Sequence, residues 1–215
     1  MSYFITIQYP YQYLTITLSD NTTIISTETI SKFQAVSLLI PTFNSILLTN
    51  NLTLKDIACI GINTGPGPFN TLRSIIATAN GIAFAKQIPL VACNGLELLL
   101  QENKADNQVA ILDAFGNDVY YAIKASDTQN YNSIENLISE LNNLYTHQTI
   151  IFVGNGAEKH KEFISNNFKG TADFKDDCLF ATPQSLVNET YNKFEQGLTE
   201  KEIFPLYFAS PVVKS

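Results

Sequence analysis

The sequence predicts a mixed α/β fold with sheets and helices in layers, and three observations carry that expectation. Short runs rich in Ile, Tyr and Thr open the chain, apolar spacings of three and four follow, and a βββαβα order is succeeded by a second half of strands and helices. With 215 residues, 45% of them hydrophobic, the chain can bury enough surface for one large domain or two lobes without disulfide or metal staples.

The elements justify themselves in order. Residues 3–8, 13–18 and 22–28 read as an antiparallel meander, separated by turn residues at Pro10 and Asp20–Asn21. From residue 33 to 48, Phe33, Val36, Ile40, Phe43 and Leu47 recur at helical spacing and predict the core stripe of a first helix, with Pro41 expected to kink or restart it. A strand over 57–63, a Gly-Pro loop and a helix from Phe69 come next, then a short strand at 90–92 and an amphipathic stretch at 96–101. Strands are expected over 109–113, 119–124 and 149–153, and helices over 133–145, 157–167 and 183–196. No internal repeat or linker stands out, and the division is placed near 103, giving a lobe at 1–103 and a smaller one at 104–215.

Composition narrows the function classes. The chain carries 20 acidic residues against 13 basic ones, a net charge of −7, with no run of lysine or arginine. Nucleic-acid binding by the chain alone is therefore not expected, because phosphates require clustered cations. Cys59, Cys93 and Cys178 are too widely spaced for a zinc knuckle and odd in number, which points to reduced core thiols. No apolar run of membrane-spanning length and no signal-peptide pattern occurs, so a cytoplasmic protein with no membrane contact is expected. His147 and His160 have no metal-ligand spacing, and no metal or cofactor is expected.

The stretch Ala58–Lys86 is the most informative. A glycine turn between strand and helix ordinarily offers amides to an anion, but no Lys follows the glycines of TGPGPF as a phosphate-binding loop requires. Pro66 and Pro68 remove two donors, leaving Gly65, Gly67, Phe69 and Asn70, with the lone arginine Arg73, as candidate phosphate contacts. Arg73 has two further readings, a contact to a partner carboxylate and a clamp on its own loop. Pro68 suits the entry of a helix, where its missing N–H is spare. Along that helix Leu72, Ile75, Ile76, Ala79, Ile82 and Ala83 form a core stripe, while Ser74, Ala77, Thr78, Gly81 and Ala85 form a second stripe of small residues that lets another helix approach closely. Ala35, Leu38, Leu39 and Ile46 on the preceding helix are apolar opposite its expected core stripe, and the two helices are expected to share a face that docks on another chain. Elsewhere, Asp113 and Asp118 read either as an acid–base pair or as a polar hairpin turn, and Gly154–Asn155–Gly156 is a second glycine turn.

The run GPGPFNTLRSIIATANGIAFAKQIPLVACNGLELL, with LLIP before it and LDAFGNDVYYA, VGNGAE and FPLYF after it, resembles the TsaB family over most of the chain. The resemblance implies an actin-like, ribonuclease-H-like α/β fold of two lobes, the second reduced. It implies a non-catalytic subunit in the modification that places threonylcarbamoyl on the tRNA adenosine beside the anticodon, pairing through its first two helices with a TsaD-like transferase and working with a TsaE-like ATPase through the complex. In this reading tRNA is met only through the complex. The sequence departs from the family pattern at Gln8–Tyr9–Pro10, where Asp-Thr is usual, at Ala35–Val36, where His-Ser is usual, and at Pro68, Asn70 and Thr71 in the loop. An early carboxylate organises hydrated magnesium beside phosphate in actin-like phosphotransferases, so its replacement at Gln8 speaks against an independent kinase or ATPase. The alternative readings are a divergent actin-like small-molecule kinase or hydrolase using Asp113 or Asp118 and, in the absence of the transferase, a degenerate homodimer that uses the same helix faces on itself.

Overall fold

The computed structural model describes residues 2–9 and 11–208; the expected turn at Pro10 lies outside the described residues. They form two compact units, one reaching Gly95 and taking in Thr182–Leu206, the other spanning Leu96–Ala181 with Tyr207 and Phe208.

In the first unit, β1 (Tyr3–Gln8), β2 (Tyr13–Asp20) and β3 (Thr23–Ser31) make the expected meander, followed by α1 (Ala35–Thr49), β4 (Ile57–Asn63), α2 (Phe69–Lys86) and β5 (Leu90–Cys93). The sheet order is β3-β2-β1-β4-β5; β1 runs antiparallel to β2 but parallel to β4, which is the geometry a crossover through α1 imposes. Alternation sends Ile5, Ile7, Leu14, Ile16 and Leu18 into a core shared with Leu39, Phe43, Ile75 and Ile76 of the two helices. The opposite side chains of β1, Phe4, Thr6 and Gln8, are also buried.

The cover on that second face is α7 (Pro183–Glu195), which the sequence-based division assigned to the other lobe. Thr182 caps it by accepting the Ser185 amide at 3.2 Å, Pro183 starts it, and the ring of Phe4 meets Tyr191 and Phe194 edge-on at 5.7 and 5.2 Å. Gly61 lies so close beneath this helix that a Cβ there would fall 1.9 Å from Thr190 Oγ1. The division near 103 is thus corrected: the break falls at Gly95–Leu96, and α7 returns to the first unit because its Leu186, Val187 and Thr190 side fits the sheet there. A segment after α7 then guards the edge of β5, with Leu90 and Glu200 exchanging backbone hydrogen bonds of 2.9 and 2.8 Å. The Asn80 side chain holds both backbone groups of Ile203, at 2.8 and 3.1 Å, and the Leu206 amide donates to Thr64 O.

The second unit contains most of α3 (Gly95–Gln101), then β6 (Gln108–Asp113), β7 (Asp118–Ile123), β8 (Thr128–Ser133), α4 (Ile134–Leu144), β9 (Thr149–Val153), α5 (Asn155–Lys159), α6 (Lys161–Asn167) and β10 (Thr171–Phe174). Its order, β10-β9-β6-β7-β8, repeats that of the first sheet: two antiparallel pairs on one side of the leading strand, two parallel pairs on the other. The helix expected over 157–167 is two helices that meet at His160. The α4 face of Ile134, Leu137, Ile138 and Leu141 packs on Val109, Ile111, Val119 and Tyr121.

Candidate partner-binding face

The Gly-Pro loop between β4 and α2 is a packed joint. The Gly65 amide donates to Asn63 Oδ1 at 3.0 Å, the Thr64 amide and hydroxyl both donate to Cys93 O, and the Gly95 amide donates to Gly65 O at 2.7 Å. Gly65 has φ +108°, a conformation that favours glycine, and a Cβ there would lie 2.8 Å from the end of the Leu72 side chain. Of the candidate phosphate contacts, Gly65 therefore spends its amide inside the loop, Gly67 is half-buried, and Asn70 is exposed with its carbonyl accepting from Ser74 Oγ at 3.0 Å. Exposed Arg73 lays its guanidinium 4.9 Å from the centre of the Phe69 ring.

Beyond the loop, α2 separates its two stripes as the spacing predicts. Leu72, Ile75, Ile76, Ala79 and Ala83 are buried, whereas Ala77, Gly81 and Ala85 are exposed and Ser74 and Thr78 lie at the margin. The hydroxyls of Ser74 and Thr78 turn back onto the helix, to Asn70 O and Ser74 O, so the surface between them presents little that competes for hydrogen bonds. A Cβ at Gly81 would meet nothing within 4 Å. Phe84 stands beside this strip, 86% exposed, at the mouth of a groove of about 840 Å³ lined by Ala85, Ile88, Pro89 and Thr199.

On α1, which packs beside α2, the expected facing is corrected. Ala35, Leu39 and Ile46 lie in the core, and of the four residues assigned to a docking face only Leu38, 36% exposed, reaches the surface. Phe33, Val36 and Ile40, assigned to the core, are exposed instead, with Leu48. The cause is that α1 is apolar nearly all round, so a spacing of three and four fits two phases; the phase that buries Phe43 and Leu47 together with Ala35, Leu39 and Ile46 wins. The helix runs through Pro41 without a break and keeps that residue exposed. The outward surface of the two helices is consequently Val36, Leu38, Ile40 and Leu48 with the small strip of α2.

The remaining candidates resolve locally. Asp113 pairs with Lys159 at 2.7 Å, while Asp118 accepts from the Tyr131 hydroxyl at 2.5 Å. That hydrogen bond, followed by burial, pushes the Tyr131 hydroxyl up to about 12. The two carboxylates thus have separate partners at the foot of a hairpin. Gly154 and Gly156 sit where a Cβ would strike Ile111 O at 2.1 Å and Leu112 C at 2.8 Å, which explains the second glycine turn by close packing on β6. Burial pushes the thiols of Cys59 and Cys178 up to about 12 and about 11. Among the described residues no cluster of three or more His, Cys, Asp or Glu could hold a metal ion, and no helix is long and apolar enough to cross a membrane.

Comparison with known proteins places these features in context. Residues 29–210 match the family model described as TsaD, tRNA N6-adenosine threonylcarbamoyltransferase. The tRNA threonylcarbamoyladenosine biosynthesis protein TsaB of Haemophilus influenzae is 24% identical over 191 residues, covering 81% of this chain and 79% of its own. In architecture the chain is similar to YeaZ from Pseudomonas aeruginosa, with a TM-score of 0.74 at 19% identity over 96% of this chain and all of that one. Ethanolamine utilization protein EutJ from Carboxydothermus hydrogenoformans shares the fold more distantly, with a TM-score of 0.53 at 10% identity, covering 87% of this chain and 90% of its own.

Proposed function

The chain belongs to the TsaD family, on its TsaB branch, and from that premise we propose that it serves threonylcarbamoyladenosine formation in tRNA as a non-catalytic activating subunit, docking on a TsaD-like transferase through the outward face of α1 and α2. The observation that carries the reading is the exposed side of two helices that pack against each other: Val36, Ile40 and Leu48 on α1, and the strip of Ala77, Gly81 and Ala85 on α2. Burying a side chain of the Val, Ile or Leu class fully is worth about 1.5–3 kcal/mol, and a glycine-alanine strip lets a partner helix come near enough to do so.

The non-catalytic role is supported by the residues available for chemistry. Buried Gln8 ends β1 with no charge, and Asp113 and Asp118 each have a partner within their own unit. A net charge of −7 favours meeting tRNA and a TsaE-like ATPase through the assembled complex.

The test is reconstitution with the TsaD-like subunit of the same genome. Gly81 is exposed and a Cβ there meets nothing within 4 Å among the described residues, so Gly81→Leu is expected to fold, to melt no lower than the wild type and to lose pairing. Normal pairing by Gly81→Leu and by Ala77→Leu would overturn the reading. Nucleotide turnover by the lone chain, abolished by Asp113→Asn, would favour the kinase or hydrolase alternative.

A further inference from the structure

The tip of the β6–β7 hairpin carries an aromatic ring in a conformation that aromatic residues rarely adopt. Phe115 has φ +70° and is 65% exposed, immediately before Gly116 at φ +61°. Glycine or asparagine is the ordinary occupant of such a position; a bulky side chain there is strained, and a ring left mostly exposed gains little from burial in the free chain.

The tip is nevertheless tightly held. The Phe115 amide donates to Asp113 Oδ1 at 2.9 Å, Asp118 N donates to Phe115 O at 3.1 Å, and Ala114 N donates to Asp118 O at 3.0 Å. From α5, Lys159 Nζ reaches both Asp113 Oδ1 and Gly116 O, at 2.7 and 2.6 Å. A ring fixed on such a support loses little further freedom on binding, which is the property of an interface anchor.

The surrounding charge identifies the kind of surface that receives it. Asp113, Asp118 and Glu135 gather at the hairpin, with Asn117 Nδ2 donating to Glu135, and Lys159 already sits in an ion pair. Stacking on a nucleic-acid base would carry phosphates toward these carboxylates, whereas a protein pocket edged by lysine or arginine complements them.

We propose that Phe115 is a second anchor for the TsaD-like transferase, inserting its ring into an apolar pocket with a basic rim, so that the second unit makes its own contact with the partner. The inference rests on the pairing proposed above. Its signature is a conflict between stability and binding: Phe115→Gly and Phe115→Asn relieve the strained conformation, so each raises the melting temperature of the isolated chain by roughly 1–3 °C. In the same variants the affinity for the TsaD-like subunit falls at least tenfold, about 1.4 kcal/mol.

Calorimetry of the free chain and titration against the purified transferase subunit read both effects. Unchanged affinity, with Gly81→Leu still abolishing pairing, overturns the anchor and leaves the helix face standing. Normal pairing by Gly81→Leu, with a tenfold loss in Phe115→Gly, overturns the helix face and keeps the anchor. A lower melting temperature shows that the ring is packed in the free chain and overturns the proposal. Unchanged protein affinity with loss of tRNA crosslinking to the complex overturns it in favour of base stacking.

Discussion

Gly61 shows how much a single methyl group can weigh. An added Cβ would lie 1.9, 2.5 and 2.7 Å from the Oγ1, Cγ2 and Cβ atoms of Thr190, whose hydroxyl is committed to Leu186 O at 2.7 Å. Gly61→Ala is therefore expected to destabilise the chain by about 1–3 kcal/mol in urea unfolding, and Thr190→Ala in the same chain to recover part of the loss. His160 offers a second measurement at this scale. Burial, then the Lys159 charge, hold its imidazole below the ordinary 6.5 against the opposing pull of Asp113 and Glu135, and its buried Nε2 has no hydrogen-bond partner among the described residues. Below pH 6.5 the unfolded chain binds more protons than the folded one, so stability falls as the pH is lowered through and below 6.5. His160→Gln removes that slope; an unchanged slope in the variant would refute the assignment. Thiol chemistry gives a third: with Cys59 at about 12 and Cys178 at about 11, both resist alkylation at pH 8 until the protein is unfolded.

At the scale of elements, the two helices proposed to dock differ in how plainly their facing is written. The polar and small residues of α2 divide it into two stripes, and the burial of Leu72, Ile75, Ile76, Ala79 and Ala83 follows the helical period. In α1 the apolar residues nearly encircle the axis, so Ala35, Leu39 and Ile46 could be placed inside only once Phe43 and Leu47 had a sheet to meet. β8 is not announced by its residues, because TQNYNS has no apolar alternation and Tyr131 as its sole large nonpolar ring, as befits a strand at a sheet edge. The Gly-Pro loop was legible as a stiff helix entrance, while its closure by Asn63, Cys93 and Gly95 depends on contacts the local sequence does not announce. The segment after α7 carries its own test. Asn80→Ala deletes two hydrogen bonds to Ile203 and leaves its buried backbone groups unpaired, a cost of about 1–3 kcal/mol, with faster amide exchange at Ile203 and Leu206 as the local readout.

For the molecule as a whole, the α/β class, the order of most elements and a two-part organisation could be read from the residues, whereas the duplicated sheet topology could not. Strands β1 and β6 lead equivalent sheets, yet YFITIQ and QVAILD share only the capacity to be buried. The ownership of α7 was equally hidden, because the fit of Thr190 over Gly61 joins residues more than half the chain apart. Removing residues 182–206 should leave the Phe4, Thr6 and Gln8 face of the first sheet uncovered. The truncated chain is expected to lose cooperative unfolding of the first unit and to aggregate, as light scattering would detect.

That returning helix also sets a timetable for synthesis. Domains ordinarily complete themselves from the N-terminus as the ribosome proceeds. Here the first sheet must wait for α7 and for the segment that clips to Asn80, while every described strand of the second sheet has already emerged. The unit begun first is completed after the other, and the helices proposed to receive the partner reach their final support only once the second sheet has been made.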